Sequence, residues 1–428
     1  MEKPISHHHY LSGKKIIIAG AGMAGLSFAI ALYKQWPAIS TTPPPTLVCY
    51  ERETNQGAIG REGYSLSLRS DPPGGIQALQ RLGILDAMIE ASIKDVKEKD
   101  GGFCIWDKNW NEIIKMRART PSQLPVGSLR IARKNLRSVM VDAAVAAGLK
   151  IHWNEACVSV AKAHGDGSNG LTVTLSSGAK ENCDLLIAAD GASSKLRAQL
   201  RPSDTLQFQN TICMGGTAVY PPGESPPSPV DRDWGLMPLN EKRSALFFSP
   251  VGPNTALWSL SYRSETPVKA QKPPVTDEVA NAILKEVRDR GANFPPLFHE
   301  LVNRTHKESI MVFNARDKQA FAHDASTIGA FAPDVIFIGD ANHAVSPFAG
   351  NGANMALCDG WDLVEQLLKS TSVEEAVKNY DDMVVPRANK VLGMSHIGIA
   401  VGHSEGWRLW LAMLFLKFMK LMLFRYVR

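Results

Sequence analysis

The stretch KKIIIAGAGMAGLSFAIALYK (14–34) is typical of a buried strand, a tight glycine turn and a helix. Gly20, Gly22 and Gly25 follow the strand directly in a G-x-G-x-x-G pattern. In such a pattern the first glycine permits the turn, the second lets the backbone approach a pyrophosphate, and the third lets the helix pack closely. The apolar run at 46–52 completes a strand–helix–strand unit. This unit predicts a parallel sheet with a dinucleotide at a helix N-terminus.

Glu51 ends the second strand and is the acidic residue expected of such a site. It lies 31 residues after Gly20 (51 − 20), further than the usual gap of roughly 20. The loop predicted at 37–45, PAISTTPPP, accounts for the excess. A carboxylate here accepts adenosine ribose hydroxyls and repels a 2′-phosphate, which favours bound FAD or NAD over NADP. Arg52, the next residue, is also predicted to belong to the cofactor site.

Composition is that of an ordinary globular protein, with 428 residues, 44% hydrophobic and 21% charged. The length predicts two domains or one domain with an insertion. A net charge of +5 suits anionic ligands such as phosphorylated cofactors and argues little for nucleic acid, so no nucleic-acid partner is predicted.

The six cysteines are too far apart in sequence for a zinc or C-x-x-C pair, and too sparse for a disulfide scaffold. We therefore predict reduced core thiols, no metal site and a cytoplasmic protein. The first 15 residues lack the apolar core of a secretory signal.

The remaining patterns indicate an α/β fold with an insertion. Helices are predicted at 74–91 and 135–148, and strand–turn–helix at 183–197. After about residue 205, short apolar strands separated by Pro-rich turns are typical of an antiparallel sheet. The predicted division is a discontinuous cofactor domain (13–204 and 325–395), a substrate domain (205–324) and a C-terminal helical tail (396–428).

A parallel-sheet strand returns at VIFIGDANHAVSPFAGNGANMALCDG (335–360), followed by a Pro/Gly loop and a helix. Asp340 comes at the strand's carboxyl end, where ligands bind in α/β folds. Gly350 and Gly352 allow the backbone to approach a flat group closely. The helix starting near Gly352 points free N–H groups at that group.

Together, three motifs resemble those of single-component FAD-dependent aromatic hydroxylases of the para-hydroxybenzoate hydroxylase type. The motifs are GAGMAG with Glu51, DLLIAADGASSKLR (184–197) and GDANHAVSPFAGNGANMALCD (339–359). The resemblance is closer to the tetracycline-inactivating and natural-product tailoring monooxygenases of that group. It covers most of residues 14–380. It implies a glutathione-reductase-type, Rossmann-like FAD-binding domain, an inserted mainly antiparallel sheet and a C-terminal helix.

The resemblance also implies roles along the flavin. Asp340 would accept ribityl hydroxyls, and Pro347 would lie beside the ring where oxygen reacts. Gly350 would approach the ring. The helix start would place N–H groups at flavin N1 and the C2 carbonyl, where reduced flavin is negative. The helix-start residues are Gly352, Ala353 and Asn354.

Other positions are matched less directly. LRIARKNLR (129–137) resembles the family's Arg-x-x-Leu helix entry, which places Arg133 at the flavin. Gly63 and Arg69 match a flavin-side loop. His343 is predicted to be structural. Asp190-Gly191 resembles residues that contact FAD and NADPH, and capping of the following helix accounts for it equally well.

The implied reaction is a monooxygenation. NADPH or NADH reduces FAD, reduced flavin adds O2 at C4a, and the resulting hydroperoxyflavin passes one oxygen atom to an electron-rich aromatic, indole or polyketide-like molecule. Two alternatives remain open. A flavin-dependent halogenase would carry Trp-x-Trp-x-Ile-Pro, but RDWGLMPL (232–239) has only Trp234. A non-catalytic FAD-binding protein would instead sequester a ligand or act as a scaffold.

The substrate is predicted to lie between the flavin and the inserted sheet. No catalytic side chain is identified. The family often places a phenol or guanidinium on this sheet, and within CMGGTAVY (213–220) only Tyr220 offers one. The predicted wall residues are Met214, Tyr220, Phe247, Phe248, Trp258 and Tyr262.

The tail GWRLWLAMLFLKFMKLMLFRYVR (406–428) is apolar but interrupted by cations. Its apolar run is too short to span a bilayer unaided. Four of its basic residues share one broad side of a helix: Lys417, Lys420, Arg425 and Arg428. Two interpretations remain: a terminal helix packed on the protein, or a basic amphipathic helix on a membrane surface or partner. A monomer or dimer is expected, with peripheral membrane association as a second prediction.

Overall fold

The computed structural model describes residues 9–39, 42–55, 64–93, 102–163, 170–239 and 243–426. Its strands are β1 (Lys15–Ala19), β2 (Thr46–Glu51), β3 (Ser65–Arg69), β4 (Phe103–Trp106), β5 (Glu112–Met116), β6 (Ser128–Ala132), β7 (Lys150–Trp153), β8 (Cys157–Lys162), β9 (Leu171–Leu175), β10 (Lys180–Cys183), β11 (Leu185–Ala188), β12 (Gln207–Val219), β13 (Trp234–Leu239), β14 (Ser244–Gly252), β15 (Thr255–Arg263), β16 (Met311–Asp317) and β17 (Val335–Phe337).

Its helices are α1 (Met23–Ile39), α2 (Gly75–Leu82), α3 (Leu85–Glu90), α4 (Arg133–Ala146), α5 (Lys195–Leu200), α6 (Asp277–Arg290), α7 (Pro296–Asn303), α8 (Ala325–Ile328), α9 (Asp340–His343), α10 (Gly352–Lys369), α11 (Val373–Gly402) and α12 (Gly406–Tyr426). Two helix predictions need correction. α1 continues through Pro37 to Ile39, where a loop was expected. The helix predicted over 74–91 is two helices, separated at Gly83 with φ +80°.

A five-stranded parallel sheet in the order β17-β11-β1-β2-β7 forms the centre of the fold. Ile17 pairs with Leu186 on one side and with Val48 on the other. The residues from Ile16 to Ala19 are all buried, as expected of a strand covered on both faces. The α/β class and the mainly antiparallel insertion predicted from the sequence are confirmed.

A seven-stranded sheet in the order β16-β12-β15-β14-β13-β4-β5 forms the second layer. All its pairs are antiparallel except β13 with β4. Strands β4 and β5 lie within 13–204, so this sheet is not confined to the predicted insertion at 205–324. The pairing of β4 with β13 joins residues about 130 positions apart, which local pattern does not reveal.

The two faces of this sheet pack against different parts of the molecule. One face carries Met214, Phe248 and Trp258 and forms a core with α6 and α7. On the other face, Leu236 and Ala245 lie against Gly402 of α11, and Ser249 meets Ser65 of β3. We call these the helix face and the cleft face.

The C-terminal helices lie on the cleft face. α11 runs to Gly402, so it crosses the predicted boundary at residue 396. The side chains of Met413 and Leu416 of α12 pack on the isoleucines of β4 and β5. Among the described helices, none combines the length and apolar character needed to cross a bilayer.

Candidate functional site

The carboxyl ends of β1, β11 and β17 lie side by side and form the base of the site. Ala189 N donates to Ala19 O at 2.9 Å, and Ile338 N donates to Ala188 O at 3.0 Å. Gly20 has φ +109°, and a Cβ there would lie 2.5 Å from the Ala189 carbonyl oxygen. Only glycine fits this turn, because both the backbone angle and the close approach exclude a side chain.

Close packing brings the two glycine motifs together although they are some 320 residues apart (340 − 20). A Cβ on Gly25 would lie 2.2 Å from the Gly20 carbonyl oxygen, and one on Gly360 would lie 2.4 Å from Phe28 N. Ser27 Oγ donates to Leu357 O at 2.6 Å. Helices α1 and α10 therefore touch at backbone distance and start at the same edge of the sheet.

Glu51 is buried, and its carboxylate already accepts hydrogen bonds from the backbone, in addition to any from a ribose. Its Oε2 accepts from Ala21 N at 2.7 Å, and its Oε1 accepts from Glu53 N at 2.8 Å. The carboxylate therefore holds the glycine turn, with lone pairs remaining for ribose hydroxyls. Arg52 beside it is exposed at the end of β2.

Asp340 begins α9, directly after Gly339, on which a Cβ would meet Ala24 Cβ at 2.9 Å. Its side chain is solvent-accessible yet enclosed by protein, as expected of a residue that lines a deep cleft. Burial raises the pKa of Asp340, and nearby His343, Arg133 and Arg197 oppose that rise. Sequence reasoning expected this position to face the ribityl chain.

Arg197 is a central residue that sequence reasoning missed. Its guanidinium donates to Ala341 O at 2.7 Å and to Ala192 O at 2.5 Å, joining the 184–197 motif to α9. Asp190 Oδ2 accepts from Lys195 N at 2.9 Å, which is the capping interaction left open above. The place of Arg197 in the 184–197 motif was the available sequence signal. No sequence pattern reveals that its side chain reaches α9.

His343 is structural, as predicted, and belongs to a buried charge cluster. Its Nε2 lies 2.7 Å from Asp359 Oδ2, which also accepts from Gly339 N at 2.8 Å. Arg387 pairs with Asp359 at 3.0 Å and with Asp362 at 2.6 Å. Burial alone lowers the pKa of His343, but Asp359 outweighs it and raises the pKa.

The start of α10 is tied to β3 through Asn354. Its Oδ1 accepts from Arg69 N and its Nδ2 donates to Ser67 O, both at 2.9 Å. The Arg69 guanidinium donates to Asn351 Oδ1 at 2.8 Å. The structure thus brings Arg69 and Asn354 together. Arg133 starts α4 nearby, above the Tyr64 ring, and Gly63 lies outside the described residues.

The glycines at the cleft leave room for a ligand. A Cβ on Gly22 or Gly350 would meet no atom within 4 Å, and one on Gly352 only Val345 Cγ2 at 3.8 Å. Pro347 and Gly350 are exposed, and Ala353 is half-buried. Open space at Gly22 and at Gly350 and Gly352 is what a two-part FAD site requires.

Five of the six predicted substrate residues lie on the helix face, in the core with α6 and α7. They are Met214, Tyr220, Phe248, Trp258 and Tyr262. Phe247 alternates with Phe248 and is half-buried on the cleft face. It pairs in register with Ser259, which pairs with Gly215. Of the six residues, only Phe247 therefore lies on the cleft face, and the five others pack in the core.

The six cysteines are buried and unpaired. Within the described residues, no group of three or more His, Cys, Asp or Glu side chains is arranged to hold a metal ion. A site of glycines, backbone N–H groups and two carboxylates at the carboxyl edge of a parallel sheet is typical of a dinucleotide-binding protein.

The chain matches the model of the FAD binding domain family over residues 73–395. It is 36% identical over 407 residues to the monooxygenase cfoF of Aspergillus candidus, covering 94% of each chain. Klebsiella pneumoniae HpxO, solved with FAD and uric acid, superposes with a TM-score of 0.72 at 18% identity, covering 95% of this chain and 94% of HpxO. Tetracycline destructase Tet(51) superposes with a TM-score of 0.62 at 17% identity, covering 96% and 97%.

The protein therefore belongs to the FAD binding domain family. It is a flavin-dependent monooxygenase that uses FAD, O2 and a nicotinamide reductant. The halogenase and scaffold alternatives are not favoured.

Proposed function

We propose that this monooxygenase inserts one oxygen atom from O2 into an electron-rich aromatic, indole or polyketide-like molecule, in natural-product tailoring or inactivation. The main support is the site itself, where Gly22, Gly350 and Gly352 leave room for a ligand at the edge of the parallel sheet. Phe247 lies half-buried on the cleft face of the seven-stranded sheet. The names of similar structures add support, since one was solved with uric acid and another is a tetracycline destructase.

FAD, when bound, supplies electron transfer from NADPH or NADH and the activation of O2. The chain's own residues bind and orient it. Gly20, Gly22 and Gly25 would carry the pyrophosphate against the start of α1, with Glu51 and Arg52 at the ribose. Asp340 would accept ribityl hydroxyls. Arg69, Arg133, Pro347 and the residues from Gly350 to Asn354 would surround the ring, and the cleft face would exclude water.

The decisive experiment measures cofactor and turnover separately. Protein titrated with FAD should turn yellow and quench flavin fluorescence, and an aromatic or polyketide-like substrate should stimulate NADPH oxidation. Mass spectrometry with 18O2 should then show one added oxygen atom. A chlorinated product in chloride buffer would support the halogenase, and unstimulated NADPH oxidation with every compound would support the scaffold.

We propose the domain division 13–204 and 325–395 for the FAD-binding part and 205–324, joined by β4 and β5, for the substrate part. The tail 396–428 then starts within α11. Limited proteolysis between α5 and β12 and between β16 and α8, followed by mass spectrometry of the fragments, tests the two boundaries of the substrate part.

We also propose that α12 rests on an anionic membrane surface. Its outer side, opposite Met413 and Leu416, exposes Trp407, Trp410, Leu411, Leu414, Phe415 and Phe418. Trp407 is 68% exposed. Residues 406–428 include five Lys or Arg and no Asp or Glu. Exposed aromatic and aliphatic groups with flanking cations are typical of interfacial helices.

Co-sedimentation with vesicles tests the membrane contact. Full-length protein should sediment with vesicles containing phosphatidylserine and less with phosphatidylcholine alone. The variant Trp407→Ser/Leu411→Ser/Phe418→Ser should stay in solution, while its packed side is unchanged. Equal sedimentation of the full-length protein and the variant would refute the proposal. A shift from dimer to monomer in the variant would show that the exposed side of α12 contacts a second copy of the protein instead.

A further inference from the structure

The two-stranded ribbon β3–β6 has one apolar and one polar side. Leu68, Leu129 and Ile131 are buried in the core of the parallel-sheet layer. Ser65, Ser67 and Arg130 alternate with them, so they lie on the opposite side. On that side Ser65 Oγ meets Ser249 Oγ at 3.0 Å and donates to Pro250 O at 2.7 Å. The polar side therefore lies against the cleft face of the seven-stranded sheet.

Arg130 is buried at this junction and is only 7% exposed. Its Nε donates to Ser65 Oγ at 2.9 Å, and one terminal nitrogen donates to Ser65 O at 3.1 Å. The guanidinium carbon lies 5.3 Å from the centre of the Trp234 ring. Within the part of the chain that the structure describes, no carboxylate pairs with Arg130, and its second terminal nitrogen has no hydrogen-bond partner.

This arrangement is unusual for a buried cation. The buried Arg387 of the same protein pairs with two carboxylates. A guanidinium removed from water without a counter-charge is costly, and this burial lowers the pKa of Arg130 to about 9. Ser67, directly opposite Arg130 in the ribbon, also has a buried Oγ without a partner among the described residues. An unsatisfied hydroxyl therefore lies across the ribbon from a buried cation that has no counter-charge among the described residues.

The position of these groups relates them to the cofactor site. Ser67 O accepts from Asn354 Nδ2 at the start of α10, the helix assigned to the flavin ring. On its other side, Arg130 meets Trp234 of the seven-stranded sheet. Arg130 therefore lies between the ring end of the FAD site and the cleft face, where a substrate must enter.

We propose that Arg130 is a specificity-determining residue that binds an oxyanion of the substrate, a carboxylate or a phenolate. The substrate class narrows to acidic aromatic compounds. This inference rests on the proposed function for the location of the substrate. An oxyanion supplies the missing counter-charge, and the planar guanidinium matches a carboxylate in two parallel hydrogen bonds. Ser67 Oγ is placed to donate a further bond.

The first test compares paired probes on the FAD-loaded enzyme. Benzoate with methyl benzoate, and 4-cyanophenol with 4-cyanoanisole, differ only in the oxyanion, and the flavin absorbance change gives each Kd. We expect the anion of at least one pair to bind roughly tenfold tighter, as one charge-assisted hydrogen bond provides. The pair that shows the preference identifies carboxylate or phenolate as the ligand.

Variants then locate that preference. Arg130→Gln should reduce the ratio of the two Kd values in the preferred pair to about one, and Arg130→Lys should restore part of that ratio. Arg290→Gln on the helix face, where Arg290 pairs with Glu286, is the matched control and should keep the ratio. Equal binding of both members of each pair, no binding of any probe, or a ratio unchanged in Arg130→Gln would overturn the proposal.

Thermal unfolding separates a binding role from a structural one. If the guanidinium lacks a counter-charge in the ligand-free protein, Arg130→Met should keep or raise Tm, and benzoate or 4-cyanophenol should raise Tm only in the wild type. If the Tm of Arg130→Met fell by several degrees and the ligands did not change the Tm of the wild type, Arg130 would have a partner within the protein. These readouts need no turnover, so oxyanion binding without stimulated NADPH oxidation would refute only the proposed function.

Discussion

Gly20 and Gly22 belong to one motif, but an added side chain should have different effects at the two positions. Gly20 combines φ +109° with a backbone carbonyl 2.5 Å from a would-be Cβ, whereas Gly22 faces open space. We expect Gly22→Val to keep the Tm of the FAD-free protein within about 2 °C, because nothing is displaced. FAD affinity should fall at least tenfold, about 1.4 kcal/mol, because the side chain fills the pyrophosphate space.

Flavin fluorescence titration and thermal unfolding measure the two effects. Gly20→Ala should instead destabilise the FAD-free protein by about 1–3 kcal/mol through backbone strain. Gly393→Ala, at an exposed glycine of α11 with open space around it, is the control. Full FAD affinity in Gly22→Val would mean that the pyrophosphate lies elsewhere.

Asp359 and His343 form the residue pair with the clearest pH signature. Burial alone would raise the pKa of Asp359, but His343, Arg387 and the Gly339 N–H lower it below the ordinary 3.8. The contribution of Asp359 is therefore present above pH 3.8 and lost as pH falls through the folded value. The pKa of His343 lies above 6.5, so its contribution is full below pH 6.5 and lost as pH rises through the folded value.

Asp359→Asn should therefore lower the free energy of unfolding by about 3–5 kcal/mol near pH 6. It leaves protonated His343 without its partner and removes one of the two carboxylates that pair with Arg387. The loss should shrink toward pH 9 as His343 becomes neutral. Urea unfolding at both pH values measures it. Asp362→Asn, which affects only Arg387, should show a smaller loss with little pH dependence; the same pH profile in both variants would contradict the assignment.

At the scale of elements, the two faces of one strand predict different outcomes for adjacent phenylalanines. Phe248 is fully buried, 4.8 Å from Trp106 and 5.1 Å from Trp110 between ring centres. Phe248→Ala should destabilise the protein by about 3–5 kcal/mol through the cavity it leaves. Phe247→Ala should cost less than about 1 kcal/mol and instead raise the KM for an aromatic substrate. If Phe247→Ala and Phe248→Ala lost equal stability, the cleft face would be packed as tightly as the helix face and would leave no room for a substrate.

The same strand shows how far sequence reasoning extends. Period-two alternation places Phe247 and Phe248 on opposite faces of β14, but it does not tell which face meets the cofactor. That depends on α6 and α7, which cover the helix face from later in the chain. Large aromatic side chains were therefore predicted for the substrate wall, although their size reflects a core.

The motifs along the cofactor were easier to predict because their constraints are local. Gly20 needs its backbone angle, and Gly25 needs its contact with the preceding strand, so both leave a pattern in the sequence. The long-range contacts of Arg197 and Arg130 left no pattern, since each side chain reaches residues distant in the chain. Their roles appear only when α9 and β13 are placed beside them.

For the whole molecule, the proposed FAD site joins segments some 320 residues apart in the chain (340 − 20), because α1 and α10 would each supply half of it. A ligand that binds only the folded state stabilises it, by about 2.7 kcal/mol at a hundredfold excess over Kd. For a chain of this length we expect FAD to raise Tm by roughly 2–4 °C. Differential scanning fluorimetry with increasing FAD measures the shift.

Because α1 and α10 are in contact, FAD binding should depend on how closely these two helices pack. A Cβ on Gly360 would lie 2.4 Å from Phe28 N and 2.6 Å from Ser27 Cβ, and this backbone cannot move without shifting α1. Gly360→Ala should lower Tm by an amount equivalent to about 1–3 kcal/mol and also weaken FAD binding, since both helix starts move apart. Gly393→Ala should do neither. A Gly360→Ala protein with lower Tm but unchanged FAD affinity would show that the two halves bind the cofactor independently of how the helices pack.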